Sequence, residues 1–365
     1  MRQLECRYGH EKYIKQQFLD LPRKIFGRNL KLGDFAVTIP DFQDKKLEKA
    51  ILDGKHVLSS DFECVPFIVL DDNRCVARAL VTLYEGDEAA YVGFFESFDD
   101  SEAVCKLMED IASFAREKKR VKLVGPLDAS FWIRYRFKLN HFEKTYTSEP
   151  VNPEYYPVLW EKAGFVMADH YYSNMIRVPE DEDQNEKCVK RLDLYKQRGY
   201  EFRHPSGENF EQSMSDVYDS LIQLYKKFPG FKFITREQFL VMYASLKNVL
   251  DFDYVELAYK DDKLKGFSIS VPNYNGLTVG KITISKLLKI FKIKRKPSEY
   301  VALYMGAERD SLGLGGAFAE IIRRKLQRDQ ATAISALIHD GKVTGYYHDE
   351  LYTGKIEYGL YQKII

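Results

Sequence analysis

The chain has 365 residues, of which 45% are apolar, 30% charged and 14% aromatic, a composition that suits two folded domains and excludes a largely disordered protein. The 55 Lys and Arg nearly cancel the 54 Asp and Glu, leaving a net charge of +1, which argues against nucleic acid as a dedicated partner. There is no run of about 18 apolar residues that would span a membrane. Met1–Cys6 has no apolar signal-like core. The five scattered cysteines form no C-x-x-C pair, so neither a disulfide framework nor a metal site is expected and a reducing cytoplasm is the expected compartment.

In chain order, residues 11–19 space Tyr13, Ile14 and Phe18 as a helix does. Val65–Leu70 predicts a buried strand, Asp71-Asp72-Asn73 a turn, and Cys75–Leu83 the returning strand of a hairpin. Tyr91–Glu96 predicts a further strand. Asp99-Asp100 then offers a cap for a helix with Val104, Leu107, Met108, Ile111, Phe114 and Ala115 on one face. Val121–Val124 is a strand closed by Gly125-Pro126. Pro179–Lys187 holds five acids among nine residues (Glu180, Asp181, Glu182, Asp183, Glu186) and reads as a solvated connection. The expected division is therefore a domain at 1–178, an acidic linker at 179–190 and a second domain at 191–365.

The second half predicts helices around Met214–Lys227 and Arg236–Leu250. A hairpin of Tyr254–Tyr259 and Leu264–Val271 follows, turning at Asp261-Asp262. After a basic stretch at 286–296, the strand Tyr300–Gly306 enters a glycine-rich turn and a helix burying Phe318, Ile321, Ile322 and Leu326. A strand at Ala333–Ile338, a short helix and a strand at Ile356–Ile364 complete the chain. Both halves share the order hairpin, strand, helix, strand, short helix, strand: one architecture used twice.

The segment Tyr300–Ala317 carries the most chemistry. A strand ends, Gly313-Leu314-Gly315-Gly316 turns the chain, and a helix begins at Ala317. Glycines let backbone N–H groups approach an anion, and a helix N-terminus adds about half a positive charge, which suits a pyrophosphate. No Lys-Ser/Thr follows, so this is not a nucleotide-hydrolysing loop.

On these residues the chain resembles the GNAT superfamily of acyl-CoA N-acyltransferases, whose Arg/Gln-x-x-Gly-x-Gly/Ala loop maps its glycines onto Gly313 and Gly315 and starts its helix near Ala317. Asp310 stands where the family has Arg or Gln, with Arg309 beside it. The superfamily often carries an Asn after its fifth strand and a Tyr seven residues on; here Asp340 and Tyr347 hold that spacing. In the first half, the acidic Ser97–Glu102 occupies the place of the pyrophosphate loop. Trp160-Glu161-Lys162-Ala163-Gly164-Phe165 is similar to the family's Tyr-Glu-Lys-x-Gly-Phe ending, with an indole that cannot donate the proton. Val92–Glu96, Gly125-Pro126, Asn152-Pro153-x-Tyr155-Tyr156 and Pro272-Asn273-x-Asn275 extend the resemblance to bacterial tandem GNAT-like proteins over almost the whole chain.

The resemblance implies two tandem GNAT-like α/β (α+β) folds, each a mixed, mostly antiparallel sheet flanked by helices, with the first degenerate. It implies transfer of an acyl group, most simply acetyl, from acyl-CoA to a small-molecule or peptide amine by direct attack in a ternary complex, without a metal. The backbone at Tyr304 and Met305 would hold the pantetheine, Arg309, Leu312, Gly313, Leu314, Gly315, Gly316 and Ala317 the diphosphate, and Tyr347 would protonate the departing thiolate. Two other functions fit the same features: a Fem-like aminoacyl- or peptidyl-transferase using charged tRNA, and a binding module without turnover. The basic run Lys286, Lys289, Lys292, Lys294, Arg295 and Lys296, interleaved with Leu287, Leu288, Ile290, Phe291 and Ile293, suits an anionic acceptor, the CoA 3′-phosphate or a membrane surface, or else a helix that buries one face and solvates the other.

Overall fold

The computed structural model describes residues 2–26, 30–32, 35–37, 43–278, 282–341 and 343–365. The chain divides into two compact units. One is built from Met1–His170 and Tyr358–Ile365, the other from Tyr171–Thr278 and Thr283–Glu357.

In the first unit, β1 (Leu4–Tyr8) is followed by α1 (Lys12–Ile25), a small hairpin of β2 (Leu30–Leu32) and β3 (Phe35–Val37), and α2 (Lys45–Leu52). The hairpin of β4 (Glu63–Asp71) and β5 (Arg74–Leu83) turns through Asp72 and Asn73, both in the left-handed region. Then come β6 (Ala89–Ser97), α3 (Ser101–Glu117), β7 (Lys122–Gly125), β8 (Phe137–Lys138) and α4 (Tyr155–Lys162). The sheet runs β1-β4-β5-β6-β7 and closes on the last residues of the chain, Tyr361–Ile364 pairing antiparallel with Lys122–Gly125. Among the described residues of this unit only β6 and β7 pair in parallel, Ala89–Tyr91 against Lys122–Val124.

The strands are apolar at consecutive positions because both faces are covered. Phe67 and Val69 face a cluster with Leu107, Ile111 and Trp160, whereas Ile68 and Leu70 face Phe18, Leu21 and Ile51. Each such side chain contributes about 1.5–3 kcal/mol on burial.

In the second unit, β9 (Val166–Ile176) contributes Tyr171–Ile176. It leads to α5 (Glu186–Gln197), β10 (Glu201–Arg203), α6 (Phe210–Tyr225), α7 (Arg236–Tyr243), β11 (Val255–Lys260) and β12 (Lys263–Pro272). Next are α8 (Ile284–Arg295), β13 (Glu299–Ala307), α9 (Leu314–Asp329), β14 (Thr332–His339) and β15 (Tyr352–Ile364), the last shared by both units. The sheet order here is β15-β9-β14-β13-β12-β11-β10; β13 and β14 pair in parallel, and β9 with β14 and β13 through β10 pair antiparallel. The short helix expected before the last strand is two 3-10 turns, Val343–Tyr346 and Asp349–Leu351.

The division falls between His170 and Tyr171 and returns the final eight residues to the first unit, whereas the acidic run lies inside the second. That run is structured. Asp183 is buried and bidentate to Arg177 at 2.6 and 2.7 Å. Asn185 caps α5 by accepting from the N–H groups of Lys187 and Cys188.

Candidate functional site

In the second unit, β13 and β14 pair over Glu299–Ala302 and Thr332–Ser335, and both strands then run on, to Ala307 and His339. Beyond the paired stretch every residue of β13 from Leu303 to Ala307 is only partly buried, so the strands border an opening. β13 is also bulged there. Ile269 of β12 pairs with Tyr304 and Ser270 with Ala302, leaving Leu303 as the extra residue. Met305 packs toward α5 and α9, with Tyr195 and Phe318. On the other side of the sheet a Cβ on Gly306 would meet Leu224 of α6 at 2.3 Å.

α9 starts at the end of this opening. Its N-cap, Gly313, has φ +104° and no side chain to cap with; the Gly316 N–H donates to the Gly313 carbonyl at 3.1 Å, and no side chain caps the first turn. The loop before it is fixed: the Tyr195 hydroxyl donates to the Leu312 carbonyl at 2.9 Å, and the Tyr200 hydroxyl lies 2.9 Å from Ser311 Oγ. Leu312 and Arg309 are exposed, Leu314 and Ala317 buried.

Asp310, the residue at odds with an anion site, is 2.8 Å from Lys265, which holds its carboxyl below the usual range and also pairs with Glu308 at 2.9 Å. The cation at the glycines themselves is Arg191 of α5. Its Nη1 would lie 2.8 Å from a Cβ on Gly313, and its stem borders Gly316. Arg191 makes no ion pair with a carboxylate among the described residues. Cys188 also borders Gly316; burial pushes its thiol up to about 11, so it stays protonated.

Tyr347 lies between the two 3-10 turns. Its hydroxyl is 2.8 Å from where a Cβ on Gly315 would stand, so the glycine is what admits it. Burial pushes the phenol above its ordinary value, partly countered by Arg191, which keeps it protonated at neutral pH. Its neighbours differ. Tyr346 is 64% exposed, and the Tyr352 hydroxyl is spent on the Tyr347 carbonyl at 2.7 Å.

An aromatic group borders the α6 side of the opening. Tyr225 stacks on Phe228 at 4.7 Å and lies 6.5 Å from Tyr304; Phe228 is 6.1 Å from His339, whose ring sits 4.9 Å from Tyr171. Burial, then the nearby Tyr304, raises the Tyr243 phenol well above its usual range. Sequence reasoning names Tyr304 of this group but neither Arg191, Lys265, Tyr225, Phe228 nor His339 as site residues, because nothing in spacing joins helix α5 or α6 to the strand ends.

The first unit repeats the geometry with each opening closed. β6 is bulged between Gly93 and Glu96, with Phe94 at φ +44°, but the Phe94 N–H donates to the Asp128 carboxylate. The Leu127 N–H donates to the Val92 carbonyl at 2.9 Å, and a Cβ on Gly93 would meet the Leu127 carbonyl at 1.9 Å. The chain itself thus fills the space where β6 and β7 part. Asp100 caps α3 by accepting from the Ala103 N–H and pairs with Arg2 at 2.6 Å. Burial pushes its carboxyl up, yet these partners hold it below its usual value. Trp160 is fully buried against Phe95, Phe137 and Phe165.

No protein-family model matches the sequence, and no curated protein matches it. Solved structures do. A tandem GNAT protein from the clavulanic acid biosynthesis pathway is similar over 99% of this chain and 98% of its own at 11% identity, with a TM-score of 0.50. A GCN5-related N-acetyltransferase from Anabaena variabilis is similar over 99% of this chain and 73% of its own at 10% identity, with a TM-score of 0.51. The chain has the fold of tandem GNAT proteins.

Proposed function

We propose that the second unit transfers an acyl group from acyl-CoA to an amine. The observation that carries this reading is the opening between β13 and β14, which ends on an uncapped glycine helix start with an unpaired arginine beside it. Bound acyl-CoA would supply an activated thioester carbonyl. The first amides of α9 and Arg191 would hold its diphosphate, since helix N-termini and guanidinium groups both favour phosphate. The bulged backbone at Leu303–Met305 would orient and polarise the carbonyl. Tyr347, protonated at neutral pH, would donate to the departing thiolate. His339, among aromatic rings on the α6 side, would take up the proton that the attacking amine gives up. The fit rests on a helix start that no side chain caps and on glycines whose missing Cβ atoms leave room for Arg191 and Tyr347 beside it.

The test is thermal unfolding with and without acetyl-CoA, followed by thiol release with a panel of amines. Ligand at 100 times its Kd adds about 2.7 kcal/mol of stability. A rise in Tm with acetyl-CoA, lost in Gly315→Glu, supports the reading; no stabilisation of the folded wild-type chain overturns it.

A further inference from the structure

Helix α8 presents to solvent what a soluble helix ordinarily hides. It is capped by Thr283, whose hydroxyl accepts from the Lys286 N–H, and only Ile290 is buried. Ile284 is 81% exposed, Leu287 44%, Leu288 65% and Phe291 61%. At about 100° per residue these four share one stripe, the i, i+3, i+4, i+7 pattern, centred roughly 110° around the helix from Ile290. Lys292 and Lys294 flank the stripe on its two sides, Arg295 continues it at its end, Lys289 and Lys296 lie farther round on the Lys292 side, and the segment 284–296 contains no acid. A chain of net charge +1 has therefore gathered six cations on one short helix that also exposes an apolar stripe.

We propose that α8 is a peripheral membrane anchor that seats on an anionic phospholipid bilayer. Apolar side chains enter the boundary between headgroups and acyl chains while flanking lysines meet the lipid phosphates, so one surface satisfies both features. The alternatives each satisfy one. RNA would engage the cations and leave Ile284, Leu288 and Phe291 in water. A second copy would bury the apolar stripe but set six cations against six. No helix among the described residues is long and apolar enough to cross a membrane, so the attachment is lateral and salt-sensitive.

The experiment is co-sedimentation of the full chain with vesicles of phosphatidylcholine alone or mixed with phosphatidylglycerol, at low and high salt. Binding is expected to the anionic vesicles only, weakening by roughly tenfold or more at high salt. It is expected to be lost in Leu288→Ser/Phe291→Ser and in Lys289→Gln/Lys292→Gln/Lys296→Gln, at unchanged Tm because these side chains are exposed. Absence of binding to anionic vesicles at low salt, or binding that survives the apolar double substitution, overturns the proposal. So would RNA binding that equals the lipid binding, or a concentration-dependent dimer that Phe291→Ser dissolves.

Discussion

Gly315 and Tyr347 are a matched pair: a hydroxyl 2.8 Å from a Cβ position is possible only while that position is empty. Tyr347→Phe keeps the ring and removes the proton, so turnover with an accepted amine should fall by about 10²–10⁴ while acetyl-CoA affinity and Tm stay close to wild type; Tyr346→Phe, at an exposed ring, should change neither. Equal losses of activity and stability in Tyr347→Phe would make it a packing residue instead. A second residue-scale outcome concerns the first unit. Glu96 lies beneath Tyr156, whose hydroxyl donates to it at 2.6 Å, and burial pushes its carboxyl up to about 7 against 4.5 for the free group. The folded state thus holds the proton more tightly than the unfolded one. The associated stability is complete below about pH 4.5 and is lost as pH rises through about 7. Glu96→Gln fixes the neutral form, so its stability relative to wild type should climb between those values by on the order of 3 kcal/mol, read as a growing difference in Tm. A difference that does not vary with pH would refute this. Gly313, Gly315 and Tyr347 can be read from the sequence because they belong to a local pattern. Arg191 and Lys265 cannot, since only the folded sheet brings them to the loop.

The two units differ most at the starts of α3 and α9. One start is sealed by the Asp100 carboxylate and Arg2; the other is capped by a glycine in the left-handed region. An anion should accordingly bind at α9 and be rejected at α3. Hydrogen exchange with saturating acetyl-CoA should slow amides of Leu314–Ala317 and Leu303–Met305 and leave Ser101–Val104 and Phe94–Glu96 unchanged. Gly315→Glu should erase that protection, because the new side chain collides with Tyr347 and carries the wrong charge. Protection at both helix starts would mean the first unit is not closed. The elements themselves were legible wherever turns and periodicity speak locally: the hairpin at Asp72-Asn73, the Asp100 cap and the helix after Gly313 all form as the sequence suggests. The filling of the first opening was not, because it depends on Leu127 and Asp128 crossing β6, which no pattern in Gly125-Pro126 announces.

At the scale of the whole chain, sequence order misleads about where a unit ends. The last eight residues read as the final strand of the second half, yet Tyr358–Ile365 belong to the first unit. Their contribution there is large. Tyr361 lies in the main apolar cluster, 6.0 Å from Phe137, and Leu360 is 1% exposed. The buried Tyr358 hydroxyl lies 2.7 Å from Glu149, which also pairs with Lys138 at 2.8 Å with both side chains out of solvent. Deleting Tyr358–Ile365 removes three buried side chains at about 1.5–3 kcal/mol each, strips β7 of its antiparallel partner and leaves that ion pair without its hydroxyl. The loss is comparable with the whole stability of a typical domain, about 5–15 kcal/mol. Both tryptophans, Trp132 and Trp160, are buried in the first unit, so their emission reports that unit alone. In the truncated chain the emission should shift red, with unfolding at markedly lower temperature. Tyr358→Phe, which removes only the hydroxyl, should have a smaller effect in the same direction. Chains cut after residue 178 should behave like the truncation and recover native emission when a peptide spanning 352–365 is supplied. Unchanged tryptophan unfolding in the deletion would show that the first unit holds its fold without the terminal strand.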